Sequence, residues 1–246
     1  MNVDQPPPRF SLIIPAYNEE RLLPRLLDSV DAAIAAYGAP AAIEVIVADN
    51  RSSDGTAQLA ARRGCRVATV DKRVIAAVRN GGAALARGEI LCFIDADSQV
   101  HAQTFHAIDA ALASGRCVGG ATGVRLERVS PGIVLAFASM MIMVLLTGMD
   151  TGVVFCRKAD FEALGGYDEQ RLVAEDVAFL WALRKLGKTR RQRLFRVTRA
   201  KAIASTRKFD EFGDWHYFRL MAQGLRLLRK GGSSEFADRY WYKPKR

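Results

Sequence analysis

Asp95-Ala96-Asp97 follows the apolar run Ile90-Leu-Cys-Phe-Ile94, so two carboxylates lie close together where a buried strand ends. Like charges so placed raise each other's pKa unless a cation joins them. Hard divalent ions, Mg2+ or Mn2+, suit such oxygen ligands and commonly bridge to phosphate. A solvated turn that uses aspartate for backbone hydrogen bonds accounts for the same residues, so the motif alone leaves both readings open.

Four further polar groups accompany it. Asp49-Asn-Arg-Ser-Ser-Asp-Gly-Thr56 ends a second apolar run. Asp54 or Ser53 suits the cap of the next helix, whereas Asp49 is not needed for capping and a carboxylate there can accept N–H donors from a nucleobase edge. Pro15-Ala-Tyr-Asn-Glu-Glu20 ends the first apolar run, and an acid at a helix start is explained by the dipole alone. Arg79-Asn80-Gly81-Gly82 has two glycines that allow close approach of a ligand or of another strand. Glu175-Asp176 opens a helix, where acids are commonly dipole partners. Neither G-x-G-x-x-G nor G-x-x-x-x-G-K-[ST] occurs, which leaves a dinucleotide fold and a P-loop without support.

These groups need elements to hold them. Strand-like runs at Ser11–Ile14, Ile43–Val47, Arg66–Val70, Ile90–Ile94 and Cys117–Val124 alternate with helix-like runs at Glu19–Tyr37, Asp54–Arg63, Ile75–Arg87 and His101–Ser114. Such alternation predicts an α/β fold with a mostly parallel sheet and helices on both faces. Ligands bind such sheets at the carboxyl ends of the strands, where Asn18, Glu19, Asp49, Asp95 and Asp97 fall. Beyond them the pattern predicts a strand at Thr151–Cys156 and helices at Ala159–Leu164, Ala174–Leu186 and Phe212–Leu228.

Taken in order, Ile13-Ile-Pro-Ala-Tyr-Asn-Glu19, Val47-Ala-Asp-Asn-Arg-Ser-Ser-Asp-Gly-Thr56, Arg79-Asn80-Gly81, Phe93-Ile-Asp-Ala-Asp97, Gly165-Gly-Tyr-Asp168 and Glu175-Asp176 resemble the inverting glycosyltransferases of family 2. The resemblance runs from Phe10 to Gly187 and implies the Rossmann-like GT-A fold. Residues 10–187 would be the catalytic domain, with a nucleotide-binding half at 10–124 and an acceptor half at 125–187. Residues 1–9 would be loose, and 188–246 a basic, helical segment packed on the domain. The resemblance also implies roles. Pro15, Ala16, Tyr17, Asn18, Glu19 and Asp49 would line the base and ribose of a UDP- or GDP-sugar. Arg73 or Arg79, with Asn80, would lie beside the diphosphate. Asp95, Ala96 and Asp97 match the family's D-x-D, with Asp95 and Asp97 at the Mg2+ or Mn2+. Asp176 matches the general base, with Glu175 beside it, and Asp150 and Gly152 fall on the acceptor side. Position 50 is Asn where many relatives carry a second acid. The Q-x-x-R-W motif of processive synthases is absent, so transfer of a single sugar is expected.

The chain has 246 residues, half of them hydrophobic, and a net charge of +10. That balance excludes a disordered or collagen-like chain. The charge is uneven: residues 184–246 carry 19 Lys and Arg against 5 Asp and Glu, while the remainder is net acidic. A basic tail suits a solvated face or attraction to anionic lipid. The uncharged stretch Val129–Met149 reaches spanning length, but a single crossing would separate Asp95/Asp97 from Glu175/Asp176. A helix packed on the domain or lying at a membrane interface is therefore expected, in a cytoplasmic enzyme peripheral to the inner face of the cell membrane. A nucleic-acid binder would also be basic, but the acidic first part opposes it, and no nucleic acid is expected. A sugar-nucleotide pyrophosphorylase is the enzymatic alternative, and its Gly-rich phosphate loop is missing. The four cysteines lack paired spacing and read as buried thiols. His216 suits a packing residue better than a metal ligand.

Overall fold

The computed structural model describes residues 7–172 and 174–218. Its strands are β1 (Phe10–Ala16), β2 (Ile43–Asp49), β3 (Arg66–Thr69), β4 (Ile90–Phe93), β5 (Cys117–Ala121), β6 (Val124–Leu126), β7 (Val154–Arg157), β8 (Arg193–Arg196) and β9 (Ala202–Ala204). Its helices are α1 (Leu23–Tyr37), α2 (Thr56–Arg62), α3 (Ile75–Leu85), α4 (Thr104–Ala113), α5 (Pro131–Thr147), α6 (Lys158–Ala163), α7 (Glu175–Thr189) and α8 (Arg207–Phe212). Seven strands form one sheet in the order β3-β2-β1-β4-β7-β5-β8. Pairing is parallel except where β7 lies antiparallel between β4 and β5. β6 and β9 make a separate parallel pair.

Alternation along the strands divides the core. Phe10, Leu12 and Ile14 of β1 pack under α1 and α4, with Leu26, Val30, Phe105 and Ile108. Ile13 faces the other layer, where α3, α6 and α7 supply Val78, Phe161, Phe179 and Leu183. Side chains on a strand point to opposite faces in turn, so one apolar strand feeds both layers. Pro15 is tolerated in central β1 because pairing to β4 stops at Ile13–Phe93. Its missing N–H therefore breaks no ladder bond.

Several boundaries differ from expectation. α1 begins at Leu23, since Leu22 and Leu23 both donate to the Glu19 carbonyl in a turn ahead of Pro24. α4 starts at Thr104 rather than His101, after a turn closed by Thr104 N–H on the His101 carbonyl. The run at Cys117–Val124 splits at Gly123, whose φ is +72°, a left-handed value favoured by glycine. The strand expected at Thr151–Cys156 is Val154–Arg157. The basic segment is not simply helical: β8 extends the main sheet, and β9 pairs with β6. Arg193-Leu-Phe-Arg196 was hidden as a strand by its charged ends. α8 stops at Phe212 before Gly213, so the expected 212–228 helix does not begin at Phe212; residues 216–218 are helical, and the rest of it lies outside the described residues.

α5 is a 17-residue helix capped by Ser130, whose hydroxyl accepts from Ile133 N–H. Ile133 and Ala136 are buried against Phe209. Val134, Leu135, Ile142, Leu145 and Leu146 face outward, with Leu146 78% exposed. Among the described residues no helix is long and apolar enough to cross a membrane. At 1.5 Å per residue such a helix reaches about 25 Å, short of a hydrocarbon core. The cysteines are unbridged.

Candidate active site

The strand order brings the carboxyl ends of β2, β1 and β4 side by side, and the loops that follow are laced together. Ser53 N–H donates to Asn18 Oδ1 (2.8 Å), Asn18 N–H to Ser52 Oγ (3.0 Å) and Glu19 N–H to Thr56 Oγ1 (2.9 Å). Asn18 itself sits at φ +54°. Its side chain is thus occupied in holding one loop to the next. Asp54 lies just before the α2 cap, Gly55, and closes the turn into the helix by accepting from Thr56 N–H (3.0 Å). Gly55 has no Cβ because one would meet the Glu20 carboxylate.

Asp49 ends β2 opposite Ala16. One carboxylate oxygen accepts weakly from Ser52 N–H (3.2 Å), while Oδ1 is buried with no hydrogen-bond partner in the structure. A buried acceptor left unpaired costs about 1–3 kcal/mol, so this atom is suited to an incoming N–H. Asn50 beside it donates its amide to the carbonyls of Val70 (2.7 Å) and Lys72 (3.1 Å). An acid at position 50 would have no proton to offer them. The departure from the family's second acid is therefore a structural tie. At the mouth, Arg73 donates to the Tyr17 hydroxyl (2.6 Å) and lies over its ring, 4.9 Å from the centroid.

Arg79 occupies a different place from the one expected beside a diphosphate. α3 carries it inward, and the glycines of this motif admit the sheet rather than a ligand: a Cβ on Gly82 would lie 2.5 Å from Ile13 Cγ2. The Arg79 side chain is only 6% exposed. Nη2 donates to Asp95 Oδ1 (2.9 Å), and Nη1 donates to Glu175 Oε1 (2.5 Å) and lies 3.7 Å from Asp176 Oδ1. Burial alone would lower its pKa, but Asp176, Asp95, Tyr167 and Glu175 overcome that and hold the guanidinium protonated. Asn80 is likewise structural. Its amide donates to the Tyr167 carbonyl and to Glu169, and its oxygen accepts from Tyr167 N–H, each at 2.9 Å.

Burial and then Asp176 push the Glu175 carboxyl up to about 7, against the pull of Arg79. Glu175 is 9% exposed and Asp176 25%, so Asp176 is the member of the pair that solvent or substrate reaches. Ala174, just before them, holds a left-handed φ of +58°, a sparsely populated conformation of the kind found at functional sites.

Asp95 is 56% exposed and Asp97 22%. Burial, then Asp95, push Asp97 up to about 6, while Arg207 opposes. Two crowded carboxylates, one partly desolvated, are a donor set of hard oxygens that a divalent cation would relieve. Among the described residues no three His, Cys, Asp or Glu side chains converge as a metal cluster.

The acceptor-side residues are engaged elsewhere. Asp150 is buried, and its Oδ2 accepts from Arg196 Nε (2.9 Å). Gly152 has φ +93°, and a Cβ there would sit 2.4 Å from the Gly123 carbonyl. His216 packs with Phe209 and Tyr217. Arg190 pairs with buried Asp160 and Arg196 with Asp150, so two arginines of the basic cluster serve the fold. Sequence reasoning missed Arg207, whose two terminal nitrogens each donate to Glu19 (2.8 Å) and one of which lies 3.4 Å from Asp97. No spacing signal marks it, because it lies over a hundred residues from both partners. A depression of about 640 Å3 lined by Pro7, Ala39, Gly88 and Glu89 lies at the opposite, amino-terminal strand edge.

The description Glycosyl transferase family 2 matches residues 11–129. The chain is 30% identical over 105 residues to an uncharacterized glycosyltransferase of Mycobacterium tuberculosis, covering 43% of this chain and 44% of that protein. It is 34% identical over 120 residues to dolichyl-phosphate beta-glucosyltransferase of Drosophila melanogaster, covering 44% and 37%. The matches thus span less than half of these relatives. Among solved structures, the mannosyltransferase PcManGT of Pyrobaculum calidifontis, in complex with GDP-Man and Mn2+, aligns with a TM-score of 0.62 at 21% identity, covering 78% of this chain and 57% of that one. S. aureus TarS in complex with UDP-GlcNAc aligns at 0.58 and 20% identity, covering 80% and 58%. With the D-x-D at the end of β4 and these likenesses, residues 11–129 belong to glycosyltransferase family 2, and the α/β sheet of the chain has the GT-A fold.

Proposed function

We propose that this protein transfers a single sugar from a nucleoside-diphosphate sugar to an acceptor hydroxyl with inversion, and that Asp176 is the general base. One observation carries the proposal most: Asp95 and the Glu175-Asp176 pair, far apart in sequence, meet on the buried guanidinium of Arg79 at the carboxyl end of the sheet. Asp176 takes the acceptor's hydroxyl proton as that oxygen bonds to the anomeric carbon. The bond from that carbon to the diphosphate oxygen breaks on the opposite face, and the nucleoside diphosphate leaves with the electron pair. A positioned base contributes roughly 10²–10⁴ in rate. Glu175 and Arg79 orient Asp176, since both are buried beside it.

Asp49 Oδ1 takes an N–H of the base, and Tyr17 with Arg73 borders the nucleotide at the mouth. Asp95 and Asp97 would hold Mg2+ or Mn2+, which supplies charge neutralisation to the leaving diphosphate. That PcManGT is solved with GDP-Man and Mn2+, and TarS with UDP-GlcNAc, supports donors of this class.

The acceptor we propose is lipid-linked or part of a cell-envelope glycan, used at a membrane surface on the cytoplasmic side. The relatives named dolichyl-phosphate beta-glucosyltransferase and 4,4'-diaponeurosporenoate glycosyltransferase of Staphylococcus haemolyticus favour a lipid. So does the outward apolar face of α5. Beside it, Arg184 donates to the Thr147 carbonyl (2.9 Å) and lies over the exposed Trp181 ring. An aromatic and a cation at the rim of an apolar helix suit the lipid interface.

A thermal-shift panel of UDP, GDP and their sugars, with and without Mn2+, tests the donor site. Turnover must then release free nucleoside diphosphate and an inverted product. Release of pyrophosphate would favour the pyrophosphorylase alternative, and stabilisation by none of the nucleotides would remove the proposal.

A further inference from the structure

α8 lies at the other end of the chain from the first nucleotide loop, yet it sets two cations against the acids of the donor site. Arg207 places a two-pronged fork on Glu19, with both nitrogens at 2.8 Å, and reaches Asp97 at 3.4 Å. Lys208, the next residue, is within electrostatic reach of Asp97, Asp95, Arg207 and Glu19. A tie that merely fastened the tail to the domain would not need these acids. Arg207 is 42% exposed, and half-exposed ion pairs contribute little to stability. The fastening of α8 is already served by Phe209, packed against Ile133 and Ala136. It is also served by Arg128, which bridges Asp210 and Asp214 at 2.7 Å.

The chemistry of the position suggests a ligand. Glu19, Asp95 and Asp97 bring three negative charges, and Arg207 and Lys208 bring two positive ones. A divalent cation arriving at Asp95 and Asp97 competes with the guanidinium for the same carboxylate oxygens. The planar fork then faces whatever anion accompanies that cation, and guanidinium binds phosphate in the same two-pronged manner as carboxylate.

Resting on the transferase reading above, we propose that Arg207 and Lys208 grip the donor's diphosphate, exchanging carboxylate partners for phosphate oxygens when the nucleotide enters. They are binding residues contributed by the C-terminal segment, which makes that segment part of the donor site.

Calorimetric titration of the full chain with UDP and GDP in Mn2+, beside UMP and GMP, tests the proposal. Arg207→Gln and Lys208→Gln are each expected to weaken diphosphate binding roughly tenfold or more, as loss of a charged hydrogen bond does. Monophosphate binding should change less, and Arg207→Lys should recover part of the loss. Melting curves without ligand establish that each variant is folded, and a single substitution that fails to fold is replaced by its Lys or Arg exchange. Variants that bind the diphosphate as tightly as the parent would overturn this inference and leave the transferase reading intact. A parent chain that binds neither diphosphate would overturn both.

Discussion

Replacing Arg79 with methionine keeps most of the side-chain volume and removes the charge that joins the two acidic motifs. The contact with Asp95 contributes little, because that carboxylate is 56% exposed and water screens it. Asp176 stands at 3.7 Å and a quarter exposed, so its share is small as well. The main term is Glu175, 9% exposed and hydrogen-bonded at 2.5 Å to a guanidinium that is itself 6% exposed. Removing the guanidinium costs this charge-assisted hydrogen bond, about 1.5–3 kcal/mol, and leaves Glu175 to bind a proton instead. For a chain of this size each kcal/mol lowers Tm by roughly 2–4 °C, so a fall of about 3–12 °C is expected.

The loss should depend on pH, because Glu175 can escape by binding a proton. Its folded pKa of about 7 lies above its ordinary 4.5. The stability this group contributes is therefore fully present below 4.5 and fades as pH rises through 7. Without Arg79 the folded pKa climbs further, so the variant keeps losing stability between pH 7 and 8 where the parent has levelled off. The deficit should be larger at pH 8 than at pH 6, by roughly 1 kcal/mol, as about one pH unit of protonation free energy. Urea denaturation followed by circular dichroism at the two pH values measures it. Arg79→Met combined with Glu175→Met should regain part of the loss, since both ends of the pair are then apolar. A deficit under about 1 kcal/mol, equal at both pH values, would refute the claim that Arg79 compensates a buried carboxylate.

Asp176→Asn should cut turnover by roughly 10²–10⁴ and leave the affinity for nucleoside diphosphate unchanged; equal loss of both in steady-state and binding assays would remove Asp176 as the base. Asn50→Asp, which takes the proton donors away from the Val70 and Lys72 carbonyls, should destabilise by about 1–3 kcal/mol in the same urea assay. Gly120→Ala would put a Cβ 1.9 Å from the Phe195 carbonyl oxygen, forcing β8 off β5 at a cost of about 1–3 kcal/mol, read as a lowered Tm. Co-sedimentation with anionic vesicles should be strong at low salt and weaken as salt rises, and Leu145→Glu with Leu146→Glu should abolish it. No binding at low salt would count against the membrane role of α5.

Much of the first half of the sheet was legible in the chain. The apolar runs at 11–14 and 43–47 lie inside β1 and β2, and the run at 90–94 outreaches β4 by one residue. The rule that α/β ligand sites gather at carboxyl strand ends then put Glu19, Asp49, Asp95 and Asp97 on one edge. Periodicity is a local signal, since burial of one face repeats every two or 3.6 residues wherever the strand or helix goes. Functions that depend on distant partners had no such signal. Arg79 was read as a group for phosphate, but the packing of α3 on the sheet committed it to Asp95 and Glu175. Asn80 looked like part of the same site and instead staples the loop around Tyr167.

The C-terminal quarter shows the limit most clearly. Its charge was visible, and its roles were not. Arg193-Leu-Phe-Arg196 became an edge strand because β5, whose glycines leave room for a close neighbour, was there to pair with it. Arg207 came to Glu19 because α8 folds back across the first strand's end. Composition and short-range spacing alone determined that this chain would be an α/β protein with acids at its strand tips. Which cation each acid meets was decided only by the long-range order of strands and helices, because Coulomb attraction acts on distance in space and no residue's neighbours in sequence set that distance.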